Sequence, residues 1–165
     1  MHNILLNRFK DRNVYVFKEE ELLLGWKHNH IPNISPLRIE FFSNLLDHIE
    51  EKLKHDRKSI FILERFHISL EIMDLGRNKD FERNYSRLIS RVKKLPVFIL
   101  IPTLDESVIE EKSAHMERGY QWAEFLKDKL KLRGFSDIKS LYADEQRKVL
   151  KLAEEQGIPY SEVNV

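Results

Sequence analysis

The scarce residue types of this sequence exclude several kinds of protein. Its 165 residues include no cysteine, five glycines and five prolines, and the formal net charge is +1. The absence of cysteine excludes a disulfide framework, a thiolate metal site and a cysteine nucleophile. No apolar run approaches the ~20 residues that span a bilayer, and no secretory segment opens the chain. We therefore expect one cytoplasmic domain, 1–165, without a membrane partner.

The glycines are too few and too scattered to form a phosphate-binding loop. Such loops need glycines close together, because only glycine lets several backbone N–H groups close on an anion. Here they lie far apart, at Gly25, Gly76, Gly119, Gly134 and Gly157. The sequence therefore contains neither a Walker A loop nor a dinucleotide-binding loop.

Hydrophobic periodicity predicts strands that alternate with helices. Strands are predicted at Asn13–Lys18, Ser59–Leu63, Pro96–Ile101 and Ile158–Val165. Helices are predicted at Asn3–Lys10, Pro36–Lys54, Phe66–Met73, Asp80–Lys93, Leu104–Lys112, Tyr120–Leu132 and Ser140–Gln156. Because helices separate the strands, the predicted fold class is α/β with a parallel sheet.

Capping signals and apolar spacing refine the helices. Ser35 before Pro36 predicts a helix start, and Thr103 with Glu106 matches a capping box. Helical spacing then predicts which side chains face inward. In the helix from Pro36 they are Leu37, Phe41, Leu45, Leu46, Ile49 and Leu53. In the helix from Asp80 they are Phe81, Tyr85, Leu88, Ile89 and Val92.

A charged pair directly follows the apolar strand Ser59–Leu63. Ligands of parallel sheets bind beyond the carboxyl ends of the strands, where Glu64 and Arg65 lie in this sequence. Glu64 could hold a metal-bound water or accept a proton, and the Arg65 guanidinium suits a phosphate. A structural ion pair that caps the next helix would use the same residues, so both interpretations stay open.

Other charged segments have a structural explanation as well as a functional one. The glutamates after Lys18 would complement the dipole of a starting helix. Segment 110–119 places Lys112, His115 and Arg118 on one helical face, which fits a cationic lid over phosphates or a solvated helix.

Neither a metal site nor a nucleic-acid site is predicted. His28 and His30 have a usable metal spacing, but no third ligand lies close in the sequence. The basic residues between Lys127 and Arg133 alternate with Asp128 and with leucines, as on a solvated helix face, and the low net charge also disfavours nucleic acid.

Four segments resemble parts of one enzyme family. Ser59–Leu70 resembles the third-strand motif of thymidylate kinases and related deoxynucleoside kinases, where an apolar strand ends in Asp-Arg or Glu-Arg before an aromatic or small residue. Pro36–Arg57 is similar to the helix before that strand. Pro96–Lys112 is similar to the next strand and the entry to the lid, and Gln146–Val165 to the closing helix and last strand.

The resemblance implies a fold, a reaction and site residues. The fold is the three-layer, parallel-sheet sandwich of P-loop kinases, and the reaction moves the γ-phosphate of ATP, with Mg²⁺, to a nucleoside or nucleoside monophosphate. Glu64 would lie near phosphates and magnesium, and Arg65 would contact substrate phosphate. The substrate-binding residues would be Lys18, Glu19, Phe66 and Asn44, and the lid cations Lys112 and Arg118. A homodimer through the helix Pro36–Arg57 is expected by analogy.

One departure from the family governs the expected activity. The family's first strand and Walker A loop would precede the helix near Met1 and are absent, so we expect an N-terminally incomplete fold. Each lost electrostatic group is worth about 3–4 kcal/mol of transition-state stabilisation, so we expect an inactive chain. It would be either a fragment or a degenerate relative. The alternative is a non-catalytic α/β binding or assembly module that associates through uncovered apolar surface.

Overall fold

The computed structural model describes residues 8–73, 79–105, 107–108 and 135–165. The chain divides into two units, residues 1–96 and 97–165. The first unit contains β1 (Asn13–Phe17), a short 3-10 helix (Trp26–His28), α1 (Ile34–His55), β2 (Ser59–Leu63), α2 (His67–Met73) and α3 (Phe81–Val92). The second contains β3 (Ile99–Thr103), α4 (Phe135–Gln156) and β4 (Tyr160–Asn164).

Each unit holds a two-stranded parallel sheet. β1 pairs with β2 in a register that runs from Asn13 opposite Ser59 to Phe17 opposite Leu63. β3 pairs with β4 from Ile99 opposite Tyr160 onward. Parallel pairing of strands that alternate with helices confirms the α/β class. The single domain over 1–165 stays a prediction.

The core of the first unit lies between α1, α3 and the sheet. All five residues of α3 that spacing places inward are buried, so the predicted face is confirmed. On α1 the buried apolar residues include Phe42, Leu46 and Ile49. Each fully buried side chain of this size contributes roughly 1.5–3 kcal/mol.

Arg91 of α3 also binds α1 through polar contacts. Its guanidinium donates to the Asp47 carboxylate at 2.6 Å, to the Glu50 carboxylate at 3.1 Å and to the Ser43 carbonyl at 3.1 Å. These contacts fix the position of α3 along α1.

Helix α1 differs from its prediction at its start and on one face. It begins at Ile34, after Asn33 with φ of +57°, so Ser35 is not its N-cap. Pro36 still lies in the first turn, where its missing N–H costs nothing. Leu37, predicted to face inward, is 45 % exposed, and its neighbour Arg38 is buried instead.

Strand β3 lies further along the chain than predicted and includes Pro102. The Ile99 N–H donates to the Pro159 carbonyl and the Thr103 carbonyl accepts from the Val165 N–H, at the two ends of β4, so the alternation of the strand turns the Pro102 nitrogen to the opposite edge. No ladder bond is lost there, which is why the strand continues. Thr103 is thus a strand residue and not a helix cap. Beyond the strand, the Asp105 carboxylate accepts bonds from the Ser107 N–H at 2.8 Å and the Ser107 hydroxyl at 2.6 Å.

Helix α4 packs on β3 in the second unit. Its buried residues include Ala143 and Ala153, while Ile101 is the buried residue of β3. The helix starts at Phe135, five residues before its predicted start, and Gly157 with φ of +63° follows its end as predicted. β4 lies within the predicted range Ile158–Val165.

The helices predicted at Asn3–Lys10, Leu104–Lys112 and Tyr120–Leu132 lie largely outside the described residues. Within the described ranges, no helix combines the length and apolarity that a membrane crossing requires.

Candidate functional site

Parallel pairing brings the charged ends of β1 and β2 to one edge of the sheet. Phe17 lies opposite Leu63, and the Glu64 N–H donates to the Phe17 carbonyl at 2.9 Å. The next residues on both strands therefore lie side by side. We call Lys18, Glu19, Glu64 and Arg65 the strand-edge cluster. The family resemblance implies that all four lie near substrate, and the structure places them together.

Glu19 is the shared partner within the strand-edge cluster. Its backbone N–H donates to the Glu64 carboxylate at 3.1 Å. Its own carboxylate accepts a bond from Arg65 Nη1 at 3.0 Å. The Glu19 side chain is 26 % exposed and the Arg65 side chain 47 %. The two strand ends are thus tied by one backbone-to-carboxylate bond and one ion pair.

The backbone of Arg65 adopts a conformation that residues other than glycine rarely adopt. Its φ is +56°, in the left-handed region. This region costs a residue other than glycine roughly 1–2 kcal/mol and persists where neighbouring contacts hold it. The turn at Glu64 and Arg65, together with the Glu19 ion pair, supplies such contacts. The strain is localised at the carboxyl end of β2.

Several groups act on the ionisation of Glu19. Burial is the largest influence and raises its pKa, the Arg65 charge lowers it, and the Glu64 and Glu20 charges raise it. The net result is a raised pKa. A half-buried carboxylate of this kind is suited to accept a proton from a hydroxyl group, because its basicity exceeds that of an ordinary glutamate.

The residues after Glu19 form a tight turn and not the start of a helix. The Leu24 N–H donates to the Glu19 carbonyl at 3.0 Å, and the Leu22 N–H to the Lys18 carbonyl at 3.1 Å. Leu22 and Leu24 are fully buried and anchor this turn to the core. The helix-dipole explanation for these glutamates is therefore wrong. The Lys18 side chain is exposed.

Arg38 is a residue that sequence reasoning missed. It lies on α1 and is 2 % exposed. Its Nε donates to the Leu23 carbonyl at 2.6 Å and its Nη2 to the Asn29 side-chain oxygen at 2.8 Å. Burial lowers its pKa to about 10, against the opposing effect of the Glu19 charge. Its spacing of four from Ile34 and from Phe42, on the buried stripe of the helix, is the signal that could have found it.

Two other expected substrate residues lie in different settings. The Phe66 ring packs against Phe42 with ring centroids 4.7 Å apart and against His67 at 5.3 Å, so its described contacts are with the core. Asn44 is exposed on α1. The expected lid cations Lys112 and Arg118, with segment 110–119, lie outside the described residues.

The described residues do not assemble a metal site. No group of three or more histidine, aspartate or glutamate side chains is placed there to hold an ion. His28 Nε2 is buried and has no hydrogen-bond partner in the described ranges. It lies beside Gly25, where an added Cβ would meet the His28 ring at 3.7 Å.

Comparison with known proteins found no matching family model, no matching curated protein and no matching solved structure.

Proposed function

We propose that this chain is a nucleotide-binding protein related to the nucleoside and nucleoside-monophosphate kinases, and that the strand-edge cluster faces the substrate. The observation that carries the proposal is the ion pair of Arg65 with Glu19 at the carboxyl ends of two parallel strands. This is the position at which open α/β sheets bind ligands.

The chemistry of the strand-edge cluster supports a phosphate-bearing ligand. A guanidinium has five N–H donors, and the bond to Glu19 leaves from Nη1. With 47 % of the Arg65 side chain exposed, a phosphate can reach the remaining donors. Arginine binds phosphate in a two-pronged geometry that lysine cannot reproduce. Arg65 is therefore the residue proposed to contact substrate phosphate.

Glu19 is the residue proposed to act on the acceptor group of the substrate. Its raised pKa suits a carboxylate that takes a proton from a substrate hydroxyl. Glu64, held by the Glu19 N–H, would lie near the phosphates. ATP, Mg²⁺, the lid, the homodimer and the three-layer sandwich enter the proposal by family resemblance alone. The parallel pairing within each sheet supports the α/β class to which that fold belongs.

The direct test measures nucleotide binding to the full 165-residue chain. We expect calorimetry to detect binding of thymidine monophosphate, and Arg65→Gln to weaken it by roughly ten- to a hundredfold, the effect of losing a charge-assisted bond worth about 1.5–3 kcal/mol. Arg83→Gln is the matched control, because Arg83 is an exposed arginine of α3 that pairs with Asp80 at 2.9 Å. Absent binding, or equal loss in both variants, contradicts the proposal. ATP-dependent phosphorylation is expected to be undetectable, because the chain has no Walker A loop.

A non-catalytic assembly module is the second candidate, and exposed apolar residues favour it. Phe98 is 59 % exposed and Leu100 on β3 is 39 % exposed. Uncovered apolar side chains close together often mark contact surfaces. Sedimentation analysis tests this function. If it is correct, the wild-type chain self-associates, Phe98→Ser reduces association and Arg65→Gln leaves association unchanged.

A further inference from the structure

The buried guanidinium of Arg38 is an unusual feature of the first unit. Buried arginines normally pair with a carboxylate, because an isolated charge is costly to remove from water. Arg38 instead donates to two neutral oxygens, the Leu23 carbonyl and the Asn29 side-chain oxygen. Among the residues that the structure describes, no carboxylate lies within ion-pair distance of it. A buried charge with these neutral partners therefore calls for a structural reason.

The Leu23 carbonyl belongs to a strained turn. Leu23 has a φ of +58°, in the left-handed region, so its conformation depends on the contacts that hold it. The Leu23 N–H donates to the Glu20 carbonyl at 3.1 Å and the Leu24 N–H to the Glu19 carbonyl at 3.0 Å. Arg38 bonds to the far end of this turn at 2.6 Å. The turn of residues 19–24 is thus closed on itself and fastened to α1.

The near end of the same turn is Glu19, which bonds to Glu64 and Arg65 after β2. Two arginines therefore act on one turn. Arg65 bonds to the carboxylate at its start, and Arg38 bonds to the carbonyl at its end. A displacement at Leu23 would reach Glu19 through the Leu24-to-Glu19 backbone bond.

We infer that Arg38 is a positioning residue: by fastening the Leu23 carbonyl to α1, it keeps the Glu19 carboxylate half-buried against Arg65. The inference rests on the proposed function, because that function is the reason to hold Glu19 beside Arg65. The charged groups that act on Glu19 are Arg65 and Glu64 after β2, Glu20 in the turn and Arg38 on α1.

Loss of Arg38 can act on Glu19 in two opposite directions. Loosening the turn would expose Glu19 to water, and its pKa would fall because burial is the largest cause of its rise. Loss of the Arg38 charge alone would raise that pKa. If Arg38 had a purely structural role in the core, only the loss of its charge would act on Glu19, and the Glu19 pKa would not fall. A fall of that pKa in Arg38→Met therefore shows that lost burial outweighs lost charge.

The experiment is a carbon-detected NMR titration of the Glu19 carboxyl group in the ligand-free chain. We expect Arg38→Met to lower the Glu19 pKa by roughly half a unit or more. The control is Arg91→Met, which removes an arginine of α3 that bonds to Asp47 and Glu50 of α1 and has no bond to the turn. It should leave the Glu19 pKa unchanged. An unchanged or raised pKa in a folded Arg38→Met protein overturns the inference.

A second variant keeps the test decisive if Arg38→Met does not fold. Asn29→Ala removes the acceptor that orients Arg38 Nη2 while it retains the buried charge. We expect a smaller fall in the Glu19 pKa, and no fall would overturn the inference. Since no nucleotide is present, failure of nucleotide binding leaves this result standing, and failure here leaves the binding test unaffected.

Discussion

Glu19 and Arg65 lie 46 positions apart in the sequence, and their side chains form an ion pair at 3.0 Å. The register of the first sheet causes this contact, because Phe17 and Leu63 lie opposite each other and the chain leaves both strands on the same side. Exposed ion pairs contribute little to stability, with a typical range of about 0–1 kcal/mol. The pair therefore matters more for the position of the two groups than for the stability of the fold.

The left-handed backbone of Arg65 leads to a prediction about glycine and alanine. Both substitutions remove the guanidinium, but only glycine adopts a φ of +56° without steric cost. We expect Arg65→Gly to have a free energy of unfolding roughly 1 kcal/mol above that of Arg65→Ala, measured by urea denaturation. At Arg87, an exposed position within α3, the order should reverse because glycine is the poorer helix former. The same order at both positions would contradict the prediction.

Much of the strand-edge cluster follows from the sequence because an apolar strand and the charges after it are local signals. Ser59–Leu63 predicts where β2 ends, so Glu64 and Arg65 could be placed at its carboxyl end. That Glu19 is their partner needed the strand register, which no local pattern specifies. Arg38 was missed because charged residues are expected on the solvent face of a helix, and both of its acceptors, Leu23 and Asn29, lie outside α1.

The opposite edge of the first sheet depends on Asp56, which predicts a dependence on pH. Its carboxylate accepts bonds from the Asn13 side chain at 2.8 Å, the Ser59 hydroxyl at 2.8 Å and the Lys58 N–H at 3.0 Å. These bonds hold the pKa of Asp56 below its ordinary value of 3.8, and the bond from Asn13 has the largest effect. A lowered folded-state pKa stabilises the fold above pH 3.8, and this contribution disappears as the pH falls through the folded-state value.

We therefore expect Asp56→Asn to remove part of the acid sensitivity of folding. The wild-type chain should lose more free energy of unfolding than the variant as the pH falls below about 4, because only the wild-type aspartate must be protonated. Denaturant titrations at several pH values measure the difference. Asp11→Asn, at an exposed carboxylate, should leave the wild-type acid dependence nearly intact. Parallel curves for the wild type and Asp56→Asn would refute this role.

The limits of β3 also depend on a contact with a segment distant in the sequence. Apolar residues predicted a strand near this position, but its limits depend on which edge pairs with β4. Because the Pro102 nitrogen faces away from β4, the strand extends to Thr103, although proline usually ends one. After the strand, the Asp105 carboxylate accepts a bond from the Ser107 N–H. Thr103 carries a valid capping pattern, yet pairing with Asn164 keeps it in the strand.

Gln146 of α4 extends the hydrogen bonding beyond the end of β3. Its side-chain oxygen accepts from the Leu104 N–H at 2.8 Å, and its amide nitrogen donates to the Leu104 carbonyl at 3.1 Å. We expect Gln146→Met, of similar length, to cost about 1–3 kcal/mol of stability because both partly buried backbone groups lose their partner. Amide hydrogen exchange at Leu104 should accelerate by more than the global loss of stability explains. Lys148→Met, at an exposed position of α4, is the control and should leave that exchange nearly unchanged.

Gly157, after α4, gives a prediction that depends on backbone conformation alone. Its φ is +63°, and a Cβ added there would meet no atom within 4 Å. Gly157→Ala should therefore cost about 1 kcal/mol, since the left-handed region is unfavourable for alanine and no steric clash adds to it. Gly157→Asn should cost less, because asparagine tolerates this region better than alanine. Urea denaturation measures both, and the order glycine, asparagine, alanine is the expected result. An alanine variant as stable as the wild type would show that the chain after α4 can adopt another turn.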